Sequence, residues 1–173
     1  MSEIVRRAQE IILTCADKRT AVDATCGNGH DTLFLLGHFQ EVHAFDIQPL
    51  AIRRTKEKTE GIKHLHLYQE DFRKIGERVR LADAVMFNLG FLPGSDKKIK
   101  TSDHDSPEAV LKALEILAPG GVMTVACYTE HPGGMEEFLA IRRRLEEEKV
   151  SFRLEEGFPN NEKLIIIKKQ PSG

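Results

Sequence analysis

Apolar positions along the chain follow two patterns, short continuous runs and a helical repeat. Runs such as residues 82–88 are typical of strands covered on both faces, whereas the spacing of Ile4, Ala8, Ile11 and Ile12 is typical of an amphipathic helix. The pattern predicts helices at residues 3–16, 31–37, 49–59, 107–117 and 134–149. It predicts strands at residues 20–24, 42–46, 64–68, 82–88, 122–128, 150–155 and 163–168.

The order of these elements predicts an α/β fold. Strands that alternate with helices form a parallel sheet with helices on both faces. The last two strands have no helix between them, so they must pair antiparallel. We therefore expect a seven-stranded, mostly parallel sheet with a C-terminal antiparallel hairpin, built as one domain over residues 1–173.

A glycine loop follows the first predicted strand, in Asp23-Ala-Thr-Cys-Gly-Asn-Gly-His-Asp-Thr32. A strand, a glycine turn and a helix together bind nucleotide-like cofactors, because glycine lets the backbone approach the ligand. A dinucleotide loop has a third glycine where Thr32 stands, and Asp31 would repel a pyrophosphate at the helix N-terminus. The loop therefore favours S-adenosylmethionine (SAM), which is cationic and carries no phosphate. An NAD enzyme is the poorer alternative.

Two further acids follow predicted strands. Asp46 ends the second strand, where an acid accepts hydrogen bonds from ribose hydroxyls; the alternative is a cap for the next helix. Asp71 follows the third strand and would contact the adenine amino group or cap a turn. With the SAM loop and the closing hairpin, the predicted sheet is that of a Rossmann-like class I SAM-dependent methyltransferase.

The ends of the fourth and fifth strands carry candidate acceptor residues. Phe87-Asn-Leu-Gly-Phe-Leu-Pro-Gly94 is similar to the Asn-Pro-Pro-Tyr type motif of amino-methyltransferases, with Phe91 as its aromatic residue. In that motif the Asn88 position orients the target amine; a turn asparagine is the alternative. Tyr128 would stack on a base or pack in the rim. His131 would accept a proton or serve only in a turn.

A basic segment follows the fourth strand, with lysines at positions 97, 98 and 100. These lysines would hold RNA phosphates, or they would form an ordinary solvated loop. The net charge of the chain is −2, so the composition as a whole does not indicate a nucleic-acid partner.

Composition indicates a soluble cytoplasmic protein. Hydrophobic residues make up 40% of the chain and charged residues 30%, and no apolar run is long enough for a membrane span. The N-terminal residues have the pattern of an amphipathic helix and lack that of a signal peptide. Cys15, Cys26 and Cys127 are far apart, which fits a reducing compartment and no metal site. Cys26 would fill a tight turn or act as a reactive thiol.

Four motifs in order resemble those of a bacterial family long labelled rRNA methylases. They are the glycine loop, Ala44-Phe-Asp-Ile-Gln48, residues 87–97, and Tyr128-Thr-Glu-His-Pro-Gly-Gly134. The family is associated with SAM-dependent methylation of the amine of 5-aminomethyl-2-thiouridine at the tRNA wobble position. Its pattern differs here at Cys26, where Met is more familiar, and at Ser95, where Gly is usual.

The resemblance implies a tRNA methyltransferase that binds the anticodon region as a homodimer and requires neither a metal nor a membrane. The expected SAM-contacting residues are Asp23, Thr25, Gly27, Asn28, Gly29, Asp31, Thr32, Asp46, Ile47, Gln48, Asp71 and Asn88. The expected residues around the modified uridine are Gly90, Phe91, Asp96, Lys97, Lys98, Lys100, Tyr128 and His131, with Asn88, Tyr128 and His131 as the catalytic candidates. The alternatives are methylation of rRNA or of a small-molecule amine or hydroxyl, and a SAM-binding protein without catalysis.

We expect charge reversal at the basic segment (Lys97→Glu with Lys98→Glu) to weaken tRNA binding and to spare SAM binding, because lysines hold RNA through its phosphates. Filter binding with bulk tRNA and calorimetry with SAM measure the two affinities separately. Unchanged tRNA affinity would exclude the basic segment from the RNA-binding surface.

Overall fold

The computed structural model describes residues 1–90 and 105–172. Its helices are α1 (Glu3–Ile12), α2 (His30–Leu36), α3 (Pro49–Lys58), α4 (Ile75–Arg78), α5 (Asp105–Ile116) and α6 (Gly134–Glu147). Its strands are β1 (Thr20–Asp23), β2 (Glu41–Phe45), β3 (Leu65–Tyr68), β4 (Ala82–Asn88), β5 (Leu117–Cys127), β6 (Arg153–Glu155) and β7 (Lys163–Lys168). In the described ranges no helix combines the length and the apolar character needed to cross a membrane.

One seven-stranded sheet, in the order β3-β2-β1-β4-β5-β7-β6, forms the centre of the molecule. The first five strands pair in parallel, and β7 pairs antiparallel with both β5 and β6. The predicted mostly parallel sheet and its closing hairpin are therefore confirmed. β7 lies between β5 and β6, so the last strand of the chain is inside the sheet and β6 forms its edge.

Helices cover both faces of the sheet. Alternate residues of β4 pack on opposite faces of the sheet: Val85 and Phe87 belong to one apolar cluster, and Ala84 and Met86 belong to another. The first cluster receives side chains from α4, α5 and α6, and the second from α1 and α2. α3 packs on the α1 side through Ala51 and Ile52. The central strands are consequently buried on both faces, as their continuous apolar runs predict.

The structure differs from the prediction at two element boundaries and in two short helices. The first helix ends at Ile12 rather than at residue 16, because the chain turns there and the amide of Ala16 bonds the carbonyl of Gly120. β5 begins at Leu117 instead of residue 122, since its ladder with β4 continues through an irregularity at Pro119–Gly121. The short turn of 3₁₀ helix at Phe72–Lys74 and the helix α4 were not predicted.

Asp83 ties the start of β1 to β4. Its carboxylate accepts hydrogen bonds from the backbone amides of Arg19 and Thr20, at 3.0 and 3.2 Å, and from the Arg19 guanidinium. Burial opposes ionisation of Asp83, but these donors prevail and lower its pKa. The carboxylate therefore stabilises the fold only while it is ionised.

We expect Asp83→Ala to destabilise the protein by about 2 kcal/mol, because it leaves two backbone amides without their acceptor. The deficit should shrink as the pH falls below the ordinary Asp value of 3.8, since the native carboxylate is itself lost through its lowered pKa. Urea unfolding at several pH values measures both effects. Asp17→Ala, which removes an exposed partner of the same Arg19, is the matched control and should change stability by less than about 0.5 kcal/mol. An equal loss of unfolding free energy in Asp83→Ala and Asp17→Ala would contradict the role assigned to Asp83.

Candidate cofactor and acceptor site

Polar side chains meet at the carboxyl edge of the three central parallel strands. Asp23 ends β1, Asp46 directly follows β2, and Asn88 ends β4. β1 pairs with β2 on one side and with β4 on the other, so the three strand ends lie side by side. In open α/β sheets ligands bind outside this edge, where the strand order reverses.

The loop between β1 and α2 has the conformation that its glycines predict. Gly27 and Gly29 have positive φ angles of 50° and 84°, which residues other than glycine rarely adopt. A Cβ on Gly29 would lie 3.1 Å from the Cα of Thr55, so α3 closely approaches the loop. The amide of Gly27 donates to Asp46 at 3.1 Å. The loop is therefore held to the ends of both neighbouring strands.

Two acidic side chains lie almost completely buried beneath this loop. Asp23 is 0% exposed and accepts hydrogen bonds from the Thr32 hydroxyl at 2.7 Å and the Thr25 amide at 3.2 Å. Asp31, 8% exposed, accepts one from the Gln9 amide at 2.9 Å. Desolvation raises the pKa of both, and the charge of Asp31 raises that of Asp23 further. In the described ranges no lysine or arginine forms an ion pair with either one.

Asp46 and Asp71 have different surroundings. Asp46 accepts hydrogen bonds from the amides of Gly27 and Gln48, and burial raises its pKa. It does not cap α3, whose N-cap is Gln48; Ile47 lies between the two. Asp71 caps the 3₁₀ turn after β3 and pairs with Arg73 at 3.0 Å. Its contact with adenine remains a prediction, whereas the capping role is observed.

Asn88 connects the acidic residues to the other half of the edge. Its amide N–H donates to the Thr25 hydroxyl at 2.6 Å, and its side-chain oxygen accepts from the Gly90 amide at 3.2 Å. The Asn88 side chain also lies close enough to Asp31 and Tyr128 to partly offset the burial that raises the pKa of each. A Cβ on Gly90 would lie 3.1 Å from both the Asn88 oxygen and the Tyr128 ring, so these two side chains and Gly90 are close together.

Tyr128 and His131 form a stacked pair after β5. Their ring centroids are 5.3 Å apart with planes inclined by 16°. Burial raises the pKa of Tyr128 to about 12, so its hydroxyl is protonated at neutral pH. A Cβ on Gly134 would overlap the carbonyl oxygen of Tyr128, and the Gly134 amide bonds the His131 carbonyl. Only glycine permits this compact turn, and the Tyr128 ring lies close to Gly90 and the Asn88 side chain.

Three contacts at the site were not predicted from the sequence. Gln9 reaches Asp31 from α1, Arg54 donates to Asn28 at 2.9 Å, and Thr55 donates to the carbonyl of Gly27. The sequence could have indicated a buried contact for Gln9, because this polar residue lies four positions after Val5 and three before Ile12, on the apolar side of α1. The other two depend on the tertiary approach of α3. Cys26 is buried and burial raises its thiol pKa, which favours the turn-filling role over a reactive thiol.

Five predicted acceptor residues lie outside the described residues. They are Phe91, Asp96, Lys97, Lys98 and Lys100. The remaining candidates come together around two connected regions, a glycine loop over buried acids and an asparagine beside a tyrosine–histidine pair. Chemically, this arrangement suits a cationic ligand in the first region and a hydrogen-bond donor, such as an amine, in the second.

Known proteins share both this sequence pattern and this fold. The profile of the family described as "Putative rRNA methylase" matches residues 42–157. A protein of Arabidopsis thaliana named tRNA (mnm(5)s(2)U34)-methyltransferase, chloroplastic, is 40% identical over 142 residues, 70% of this chain. The match covers 51% of that protein, so the chain spans about half the length of its curated relative.

Two solved structures superpose over nearly the whole chain. A Clostridium thermocellum protein described as a putative rRNA-methylase is 31% identical, with a TM-score of 0.86 and 98% of each chain covered. A putative methyltransferase of Streptococcus mutans, solved in complex with SAH, is 30% identical with a TM-score of 0.86, covering 98% of this chain and 99% of its own. These likenesses confirm the class I SAM-dependent methyltransferase fold.

We expect Asp23→Asn to make the ligand-free protein more stable at alkaline pH. The raised pKa of Asp23 means that its stabilising contribution is complete below the unfolded value and is lost as pH rises through the folded value. The Asn oxygen can accept from the Thr25 amide and its NH₂ can donate to the Thr32 hydroxyl, so two hydrogen bonds remain without the charge. The variant should therefore exceed the stability of the parent by about 1 kcal/mol or more at pH 8.5 and match it near pH 4. Urea unfolding across this range measures the difference.

Asp17→Asn, an exposed carboxyl, is the control and should follow the parent at every pH. If the unfolding free energy of Asp23→Asn changed with pH in the same way as that of the parent, burial of the Asp23 charge would not lower the stability of the protein.

Proposed function

The chain belongs to the rRNA methylase family, and we propose that it is a SAM-dependent N-methyltransferase of tRNA. Its proposed substrate is the aminomethyl group of 5-aminomethyl-2-thiouridine at the wobble position, and its product is 5-methylaminomethyl-2-thiouridine. The observation that carries the proposal is the hydrogen-bonded link from buried Asp23 through Thr25 to Asn88, which joins an acidic region suited to a cation to an oxygen suited to orient an amine.

The pocket fits SAM by charge and by shape. Asp23 and Asp31 are buried carboxylates without a lysine or arginine partner in the described ranges, so a ligand with an ammonium and a sulfonium group would supply the missing positive charge. Gly27 leaves open space where a side chain would project, since its nearest neighbour is a backbone oxygen at 3.9 Å. Asp46, directly after β2, would accept hydrogen bonds from the ribose hydroxyls. The SAH complex of the Streptococcus mutans relative supports the same cofactor class.

When bound, SAM supplies a methyl group activated by its sulfonium. Asn88 would then accept a hydrogen bond from the neutral amine, with its oxygen positioned by the bond from the Gly90 amide and its backbone held by Thr25. This contact turns the nitrogen lone pair toward the reacting carbon, and methyl transfer needs such positioning more than it needs a strong base. The new N–C bond forms as the C–S bond breaks, and the nitrogen then loses one proton.

The Tyr128–His131 pair would complete the acceptor side. The exposed His131 ring, stacked on Tyr128, offers a nitrogen to receive the amine proton, and the tyrosine ring offers a surface for a base to stack on. The name of the Arabidopsis relative supports a wobble uridine as the substrate. The family description supports rRNA as the second candidate.

We also propose that the protein is a cytoplasmic homodimer that contacts the anticodon region of tRNA. A compact chain of net charge −2 would gain RNA-binding surface by pairing with a second copy.

Nucleoside mass spectrometry tests the substrate directly. tRNA from a strain lacking this protein should accumulate 5-aminomethyl-2-thiouridine, which gains one CH₂ on incubation with the protein and SAM. The same assay with rRNA from that strain tests the second candidate. An unchanged tRNA profile together with a methylated rRNA nucleoside would replace the proposed substrate and keep the proposed chemistry.

We expect Asn88→Ala to lower kcat by about a hundredfold or more, because the amine loses the group that orients it. SAM affinity should change only a few-fold, as the carboxylates and the glycine loop remain. Single-turnover methylation of tRNA and calorimetry with SAM separate these effects. Gln40→Ala, which removes an exposed amide away from the site, is the control and should leave both unchanged. Full turnover by Asn88→Ala would mean that Asn88 is only a turn residue.

A further inference from the structure

A second cluster of ligand-type side chains lies at the β2–β3 edge of the sheet, separate from the site at its carboxyl edge. It consists of Glu41 and His43 on β2 and of His66 on β3, and we call it the edge cluster. Glu41 and His43 are two residues apart on one strand, so they project from the same face. His66 is the register partner of His43 on the adjacent strand and shares that face. The proposed function uses none of these residues.

The distances within the edge cluster are those of a chelating group. One nitrogen of each histidine and one oxygen of Glu41 all lie within 4.8 Å of one another. The His66 Nε2 atom is 2.8 Å from the Glu41 carboxylate, and the two imidazole centroids are 4.6 Å apart. His66 and Glu41 are about half exposed, with side-chain exposures of 44% and 52%. Solvent therefore has access to the point where the three ligand atoms converge.

Tyr68 adds the kind of outer contact that metal-binding histidines have. Its hydroxyl lies 3.0 Å from the Nδ1 atom of His43, and this contact leaves Nε2 as the nitrogen to face an ion. A hydrogen bond to the second ring nitrogen fixes the ring orientation of a ligating histidine. Because Tyr68 also lies on β3, it holds His43 in place relative to His66.

We propose that the edge cluster binds one Zn²⁺ ion through Glu41, His43 and His66, with water in the fourth position. Two imidazoles and one carboxylate form a ligand set that zinc accepts in tetrahedral geometry. Two ligands at alternate positions of one strand and a third from the neighbouring strand lie close together on one face of the sheet. The bound ion would link β3, which lies at the edge of the sheet, to β2.

Binding requires one local movement. The rings of His43 and His66 are nearly parallel, inclined by 16°, so their nitrogen lone pairs do not point at one common position. The exposed His66 ring must therefore turn out of the stack and exchange its hydrogen bond with Glu41 for the metal. His43 is more enclosed and keeps its orientation through Tyr68.

Calorimetric titration of the untagged full chain with Zn²⁺ alone tests the proposal. The parent should bind one ion per chain in a saturable step, and Zn²⁺ should raise its Tm. His66→Gln and Glu41→Gln change exposed side chains, so both should fold normally by circular dichroism and lose saturable binding. Tyr68→Phe should keep the site and weaken the affinity about tenfold.

His38→Ala removes a histidine outside the edge cluster and is the matched control, with binding expected to equal that of the parent. Replacing Zn²⁺ with Co²⁺ should give the absorption spectrum of a tetrahedral site in the parent and in His38→Ala. A titration of the parent that does not saturate, or binding that survives in both His66→Gln and Glu41→Gln, would overturn the proposal. Methylation of tRNA is a separate measurement, so its failure leaves this test intact.

Discussion

The position of β1 between β2 and β4 is the constraint on which the candidate site depends. All three strands run in parallel, so Asp23, Asp46 and Asn88 reach the same edge of the sheet although they are far apart in sequence. The helices after β1 and β2 pack on the same face of the sheet, and this leaves the carboxyl edge to the loops. A different strand order would keep every local motif and separate the acids from the asparagine.

Burial of Asp23 and Asp31 gives this edge its chemical character. A carboxylate removed from water is costly unless a cation or several donors compensate for it. Here two side-chain donors and one backbone amide compensate in part, and both pKa values are raised. Under the proposed function, the ligand-free protein would lose stability by burying these carboxylates, and the site would gain affinity for a cationic ligand. The contrast with Asp83 is instructive, because its paired carboxylate has a lowered pKa and only ties strands together.

Asn88 connects the glycine loop and its buried acids to the acceptor side of the candidate site. Its backbone amide donates to Thr25 in the loop after β1, and its side-chain oxygen accepts from the Gly90 amide after β4. A shift of the glycine loop would therefore reach Asn88 through a direct hydrogen bond. The edge cluster lies on β2 and β3 of the same sheet, and its two β2 residues, Glu41 and His43, precede Asp46 by five and three positions.

Sequence alone determined the α/β class and the closing antiparallel pair, because apolar periodicity is a local signal. The glycine turn is also a local signal, and it predicted residues that the structure brings to the carboxyl edge. Sequence also determined the family, through motifs whose residues are close in sequence. Tertiary structure decided the rest. Gln9 joins Asp31 only because α1 packs beside α2, and Asp46 holds Gly27 only because β2 pairs with β1. Likewise β5 begins at Leu117, before the proline and glycines that predicted a break, because pairing with β4 supplies hydrogen bonds that local propensity does not reveal.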